Sequence, residues 1–130
     1  VQLHTHRHRV PRDEALYRRE IRDNAAAIRE LTGADRALTH FCYPSGEYFG
    51  EQLRWLPGEG VRYATTCLPG LASRADHPLL LPRFVDTMPQ PPELFDAWAS
   101  GAAALLPRRA EYRIDPRRLA VPSAEPDATR

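Results

Sequence analysis

The residues whose types and spacing carry the most chemistry open the chain, in "VQLHTHRHRVP". His4, His6 and His8 occupy alternate positions. On a strand all three share one face, and on a helix only His4 and His8 do. Either way His4 and His8 converge on one point. Neutral imidazole is a common zinc ligand, but a catalytic zinc takes three protein ligands and keeps a fourth position for water. Two histidines alone therefore do not make a catalytic site. A solvated basic chain end is the plainer alternative.

A second stretch, "FCYPSGEY" from Phe41 to Tyr48, adds a different capability. Pro44, Ser45 and Gly46 turn the chain sharply and leave backbone N–H groups free to face a ligand, with the Ser45 amide as the candidate oxyanion donor. A metal that polarises a carbonyl and activates water, opposite such an N–H, is the equipment of acyl hydrolysis. Tyr43, Tyr48 and Phe49 flank the turn, as a stacking platform for a sugar ring or as wall packing. His40 reads as a hydrogen-bonded core histidine and His77 as a solvated loop residue. Arg83, behind Pro82, orients a carboxylate or forms a solvated pair. Cys42 and Cys67 are too few for a disulfide framework and read as buried free thiols.

The elements that must position these residues follow from pattern. Val1 to Leu3 reads as the end of a strand that delivers the histidines. Pro11, Asp13 and Glu14 mark a helix start. Leu16, Tyr17, Ile21, Ala25, Ile28 and Leu31 recur at helical steps as one buried face, and Gly33 stops the helix. Ala37 to Tyr43 is a short strand broken at Pro44. Glu47 to Leu56 is a second helix, Val61 to Thr66 a strand, and Leu79 to Val85 a strand at a sheet edge. Pro92 to Leu106 is a helix. Trp55 and Trp98 sit in helices as packing residues. Strands alternating with helices argue for a parallel α/β architecture, and ligands in such folds gather at the carboxyl ends of strands. Residues 1–106 form the folded part, and 107–130, rich in Arg, Pro, Ala and Asp, a poorly ordered tail.

Bulk properties exclude some classes. The net charge is +1, which predicts no nucleic-acid partner. No apolar run reaches the ~20 residues of a membrane span. All 18 basic residues are Arg, which reads as a codon bias before it reads as selection for anion-binding forks. The chain starts at Val1 without an initiating Met, so the lack of a targeting segment leaves its compartment open.

In these two stretches the sequence resembles the polysaccharide deacetylases, the NodB-homology or carbohydrate esterase family four group. Their metal motif is His-(Ser/Thr)-x-x-His, and "HTHRH" matches it at every fixed position, with His6 on a variable one. Their next motif is Arg-x-Pro-(Tyr/Phe)-Gly or a looser relative, and "CYPSG" matches its Pro44 and Gly46. A looser likeness continues through "ATTCLPGLASRADHPLLLPRF", so that the resemblance spans roughly Val1 to Gly101. It implies a distorted (β/α) barrel, of which this chain would be the C-terminal part. It also implies hydrolytic removal of acetyl groups from N- or O-acetylated polysaccharides or oligosaccharides. His4 and His8 would hold a divalent metal, zinc first with cobalt or nickel as alternatives. Ser45 would supply the oxyanion N–H, and Tyr43, Pro44 and Gly46 would contact substrate.

Three departures accompany the resemblance. The family's Asp pair, general base and third metal ligand, has no counterpart and would lie before Val1. The arginine that positions the base is replaced by Cys42. No histidine follows His77 to serve as the late catalytic one. Glu47 is a conceivable substitute base. The leading reading is therefore a metal-dependent deacetylase-like hydrolase that is incomplete in this chain. A degenerate glycan- or metal-binding member and an unrelated α/β interaction module are the alternatives.

Overall fold

The computed structural model describes residues 1–33, 35–84 and 91–102. The first helix, α1, spans Glu14–Thr32. Its start follows from capping: Asp13 is the N-cap, and its Oδ1 accepts from the Leu16 amide at 2.9 Å. Its stop is Gly33, left-handed at φ 62°, whose N–H donates to the Arg29 carbonyl. Tyr17, Ile21 and Ile28 are buried, each contributing about 1.5–3 kcal/mol of apolar burial. The buried face is narrower than its pattern suggests. Leu16 is 53 % exposed and Leu31 85 %. Leu16 precedes Tyr17 by one residue, so it sits about 100° around the helix from the buried arc. Leu31 shares the arc but lies in the last turn.

Two short strands, β1 (His40–Cys42) and β2 (Tyr63–Thr65), pair in parallel with Phe41 opposite Ala64. Single parallel bridges flank them, Leu3 with Phe41 on one side and Thr65 with Leu81 on the other. Between β1 and β2 run a one-turn 3₁₀ segment at Pro44–Gly46 and the helix α2 (Gln52–Gly58). A parallel pair needs such a crossover, because a hairpin cannot return the chain in the same direction. A last helix, α3, spans Pro92–Ala99. The architecture is mixed α/β with a small parallel sheet.

The expected strands are present but shorter. Only Leu81 of the Leu79–Val85 run makes a bridge, and Val85 lies outside the described residues. The second helix begins at Gln52 and not at Glu47, because Gly50 and Glu51 form a turn closed by the Gln52 amide on the Phe49 carbonyl, with Gln52 Oε1 accepting from the Phe49 amide at 3.1 Å. The end of the Pro92–Leu106 helix and the 107–130 tail fall outside the described residues.

The register sorts side chains onto two faces. Phe41 and Ala64 are buried, with the Phe41 ring 6.3 Å from Tyr17 of α1. Their neighbours point the other way. His40 stacks on Tyr63 at 5.3 Å, and Cys42 and Thr65 are half-buried. Tyr17, Phe49 and Trp55 pack together at 5.6–6.4 Å, tying α1 to α2. Trp98 stacks on Phe84 at 5.0 Å. Among the described residues no helix is long and apolar enough to cross a membrane.

Candidate metal and oxyanion site

Leu3 fixes where the histidines begin. Its amide donates to the His40 carbonyl at 3.1 Å, and its carbonyl accepts from the Cys42 amide at 2.9 Å. The ladder ends there. Thr5 and His8 are left-handed, at φ 60° and 55°. The three histidines therefore do not share a strand face, as a continued strand would require. The left-handed turns fold the segment back on itself and bring the His4 and His8 rings to 5.0 Å, edge to face at 65°. His6 is exposed.

The His4 ring is held from below. Its Nδ1–H donates to the Cys42 carbonyl at 2.7 Å. A carbonyl only accepts, so Nδ1 carries the proton and Nε2 keeps its lone pair. Metal-binding histidines use this arrangement, one ring nitrogen on a backbone carbonyl and the other on the metal. The His4 ring thus keeps one nitrogen available as a donor, with the centre of the His8 ring 5.0 Å from its own. Among the described residues no group of three or more His, Cys, Asp or Glu is arranged to hold one.

Helix α1 latches the segment. Asn24 Oδ1 accepts from the His4 amide at 2.9 Å. The His6 amide donates to the Glu20 carbonyl at 3.1 Å. The Glu20 carboxylate accepts from the Arg7 amide and from its guanidinium, both at 2.7 Å, and Asp23 adds a 3.0 Å contact to the same guanidinium. Burial opposes ionisation of Glu20, yet the Arg7 hydrogen bonds and charge outweigh it and hold the carboxyl below its ordinary value. Sequence reasoning passed over Glu20 and Asn24. Their signal is positional: both lie beside the Tyr17–Ile21–Ile28 stripe, where a fully solvated polar face would not reach.

The second stretch follows from the end of β1. Ser45 is exposed and left-handed at φ 53°. The Gly46 amide donates to the Tyr43 carbonyl and the Glu47 amide to the Pro44 carbonyl. No hydrogen bond among the described residues engages the Ser45 amide. Of the turn amides it is the one available to an oxyanion. Tyr43 is in the core, its hydroxyl donating to the Leu79 carbonyl at 2.9 Å, and Pro44 is buried beside it. Their side chains shape the turn from beneath, and Gly46 is half-buried. Thr5, His8 and Ser45 are the left-handed non-glycine residues among the described ones, and all fall in the two motif stretches. Such strain gathers at functional sites.

Of the other residues, His40 and the two cysteines differ from the sequence reading and His77 agrees with it. His40 is exposed, its Nδ1 3.1 Å from Thr39 Oγ1, because the open sheet face leaves it uncovered. His77 is an exposed loop residue whose Nδ1 accepts from the Leu79 amide. Cys42 and Cys67 are free and half-buried, not fully buried. Glu47 is exposed at the turn.

No protein-family model matches the chain, and neither a curated protein nor a solved structure does. The functional reading therefore rests on the two stretches and their geometry.

Proposed function

We propose that this chain carries the metal-ligand and oxyanion portion of a polysaccharide deacetylase-like hydrolase. The substrate class is an N- or O-acetylated polysaccharide or oligosaccharide, and the architecture is the C-terminal part of a distorted (β/α) barrel. The observation that carries the reading is the hydrogen bond from His4 Nδ1 to the Cys42 carbonyl. It joins the two motif stretches directly and leaves Nε2 with its lone pair, and the centre of the His8 ring lies 5.0 Å from that of His4. In this reading His4 and His8 would hold a divalent metal, zinc before cobalt or nickel, which would supply Lewis-acid polarisation of the acetyl carbonyl. The Ser45 amide donates to the oxyanion. Tyr43, Pro44 and Gly46 set the turn against which the acetyl group lies.

Two donors alone bind metal weakly, and no carboxylate among the described residues joins the pair as general base. That observation favours a second reading, a degenerate member that binds metal or glycan without turnover. Calorimetric titration with zinc tests the metal site. Heat of binding that is abolished by the paired changes His4→Ala and His8→Ala is expected, and heat unchanged by them sinks both readings. Acetate release from an acetylated chitooligosaccharide in the presence of zinc then separates enzyme from binder.

A further inference from the structure

Arg83 does not behave as a solvated surface arginine. Its amide donates to the Leu68 carbonyl at 2.9 Å, which places it two residues past the Leu81 bridge at the strand ends. Its Nη2 donates to Cys67 Sγ at 3.2 Å. A thiol sulfur is a weak acceptor. Its Nε–H is buried with no partner. No carboxylate among the described residues lies within ion-pair distance of the Arg83 guanidinium.

The neighbourhood is that of the candidate site. Cys42 supplies the carbonyl that holds His4. Cys67 packs directly under the turn: a Cβ built on Gly46 would come within 2.7 Å of Cys67 Cβ. The Arg83 guanidinium thus reaches the residue packed against the Ser45 turn. A half-buried guanidinium whose donors, among the described residues, hydrogen-bond only to sulfur, with the Nε–H unpartnered, is matched chemically by a carboxylate, which accepts two parallel N–H bonds.

We propose that Arg83 is a carboxylate seat. It places a guanidinium under the Ser45 turn, against Cys67. The seat stands on its own geometry, and a part for it in acetyl hydrolysis rests on the deacetylase-like reading. The ligand is a free carboxylate such as released acetate, or an aspartate side chain. As a positioning residue, Arg83 acts by orienting that carboxylate beneath the Ser45 turn.

The test uses the full chain and nuclear magnetic resonance of arginine Nε–H groups. Sodium acetate and a capped aspartate are titrated in parallel against sodium chloride at matched ionic strength. One Nε–H resonance is expected to shift saturably with carboxylate and not with chloride, and tighter binding of one carboxylate identifies the source. The resonance should disappear in Arg83→Gln. In Arg83→Lys, which keeps the charge without the fork, carboxylate affinity followed on the Gly46 and Cys67 amides should fall about tenfold, as for one lost charge-assisted hydrogen bond. The paired His4→Ala and His8→Ala changes should leave the Arg83 shift in place, so a failed metal titration does not remove the seat. A wild-type chain in which carboxylate moves no Nε–H beyond chloride overturns the proposal. So does a saturable shift that survives in Arg83→Gln.

Discussion

The His4 imidazole donates its Nδ1 proton to the carbonyl of Cys42, 38 residues away, at 2.7 Å. The bond fixes the ring's tautomer and leaves Nε2 with its lone pair, and the centre of the His8 ring lies 5.0 Å from that of His4. Neither residue contributes this alone. The histidine comes from a strained loop, and the carbonyl becomes available because β1 ends at Cys42.

If the His4 backbone is held in place by Asn24, loosening it should loosen metal binding. Asn24→Ala removes the acceptor of the His4 amide. A cost of about 1 kcal/mol in urea unfolding is expected. Zinc affinity in calorimetry should fall by a few-fold, short of the loss in His4→Ala. An affinity equal to the parent's would show that Asn24 plays no part in orienting His4.

Acid should weaken the latch before it weakens the core. Glu20 and Glu59 are both held below their ordinary value of 4.5, Glu20 by Arg7 and Glu59 by Arg22 and Arg18, against the opposing effect of burial. A carboxyl whose folded pKa is depressed contributes stability that is fully present above its unfolded pKa. That stability is lost as pH falls through the folded value. Glu20→Gln should therefore lower the urea midpoint at neutral pH, and the gap to the parent should close below about pH 4. A gap that stays constant across that window would contradict the pairing.

Tyr43 tests the floor of the turn. Burial raises its phenol pKa, and its proton is donated to the Leu79 carbonyl. Tyr43→Phe keeps the ring and strands that buried acceptor, at an expected cost of about 1–2 kcal/mol in chemical unfolding. A neutral effect would mean that Leu79 finds another donor.

Strain at the turn gives two changes of opposite sign. Ser45→Gly relieves a left-handed residue by about 1–2 kcal/mol, partly offset by the freer unfolded chain, for a net gain of about 0.5 kcal/mol. The amide remains, so metal binding should be unchanged. Gly46→Ala meets both a φ of 71° and Cys67 Cβ at 2.7 Å, and should cost more than about 2 kcal/mol. Adding Cys67→Gly should return the steric part and leave the backbone part. Thermal unfolding of the four proteins measures both.

Much of the scaffold was legible from local chemistry. Asp13 and Gly33 bound α1 as their types dictate, because caps act within a few residues. The break at Pro44 and the parallel alternation of β1, α2 and β2 were readable for the same reason. The reach of each element was less so. Strand length depends on which neighbours supply hydrogen bonds, and β1 stops at three residues because pairing stops there. His40 looked like a core residue because alternation marks faces without saying which one is covered.

The sequence by itself determined the two stretches that hold the candidate chemistry, the histidine spacing and the Pro44–Gly46 turn. It did so because residue type sets ligand chemistry and turn geometry locally. Only the tertiary structure decided that His4 and His8 meet through left-handed turns and not along a strand. It also decided that Asn24 and Glu20 brace them, and that Arg83 reaches the thiol of Cys67 beneath the turn. Those contacts join residues far apart in the chain, and what joins them is the parallel register, which places successive strand ends side by side.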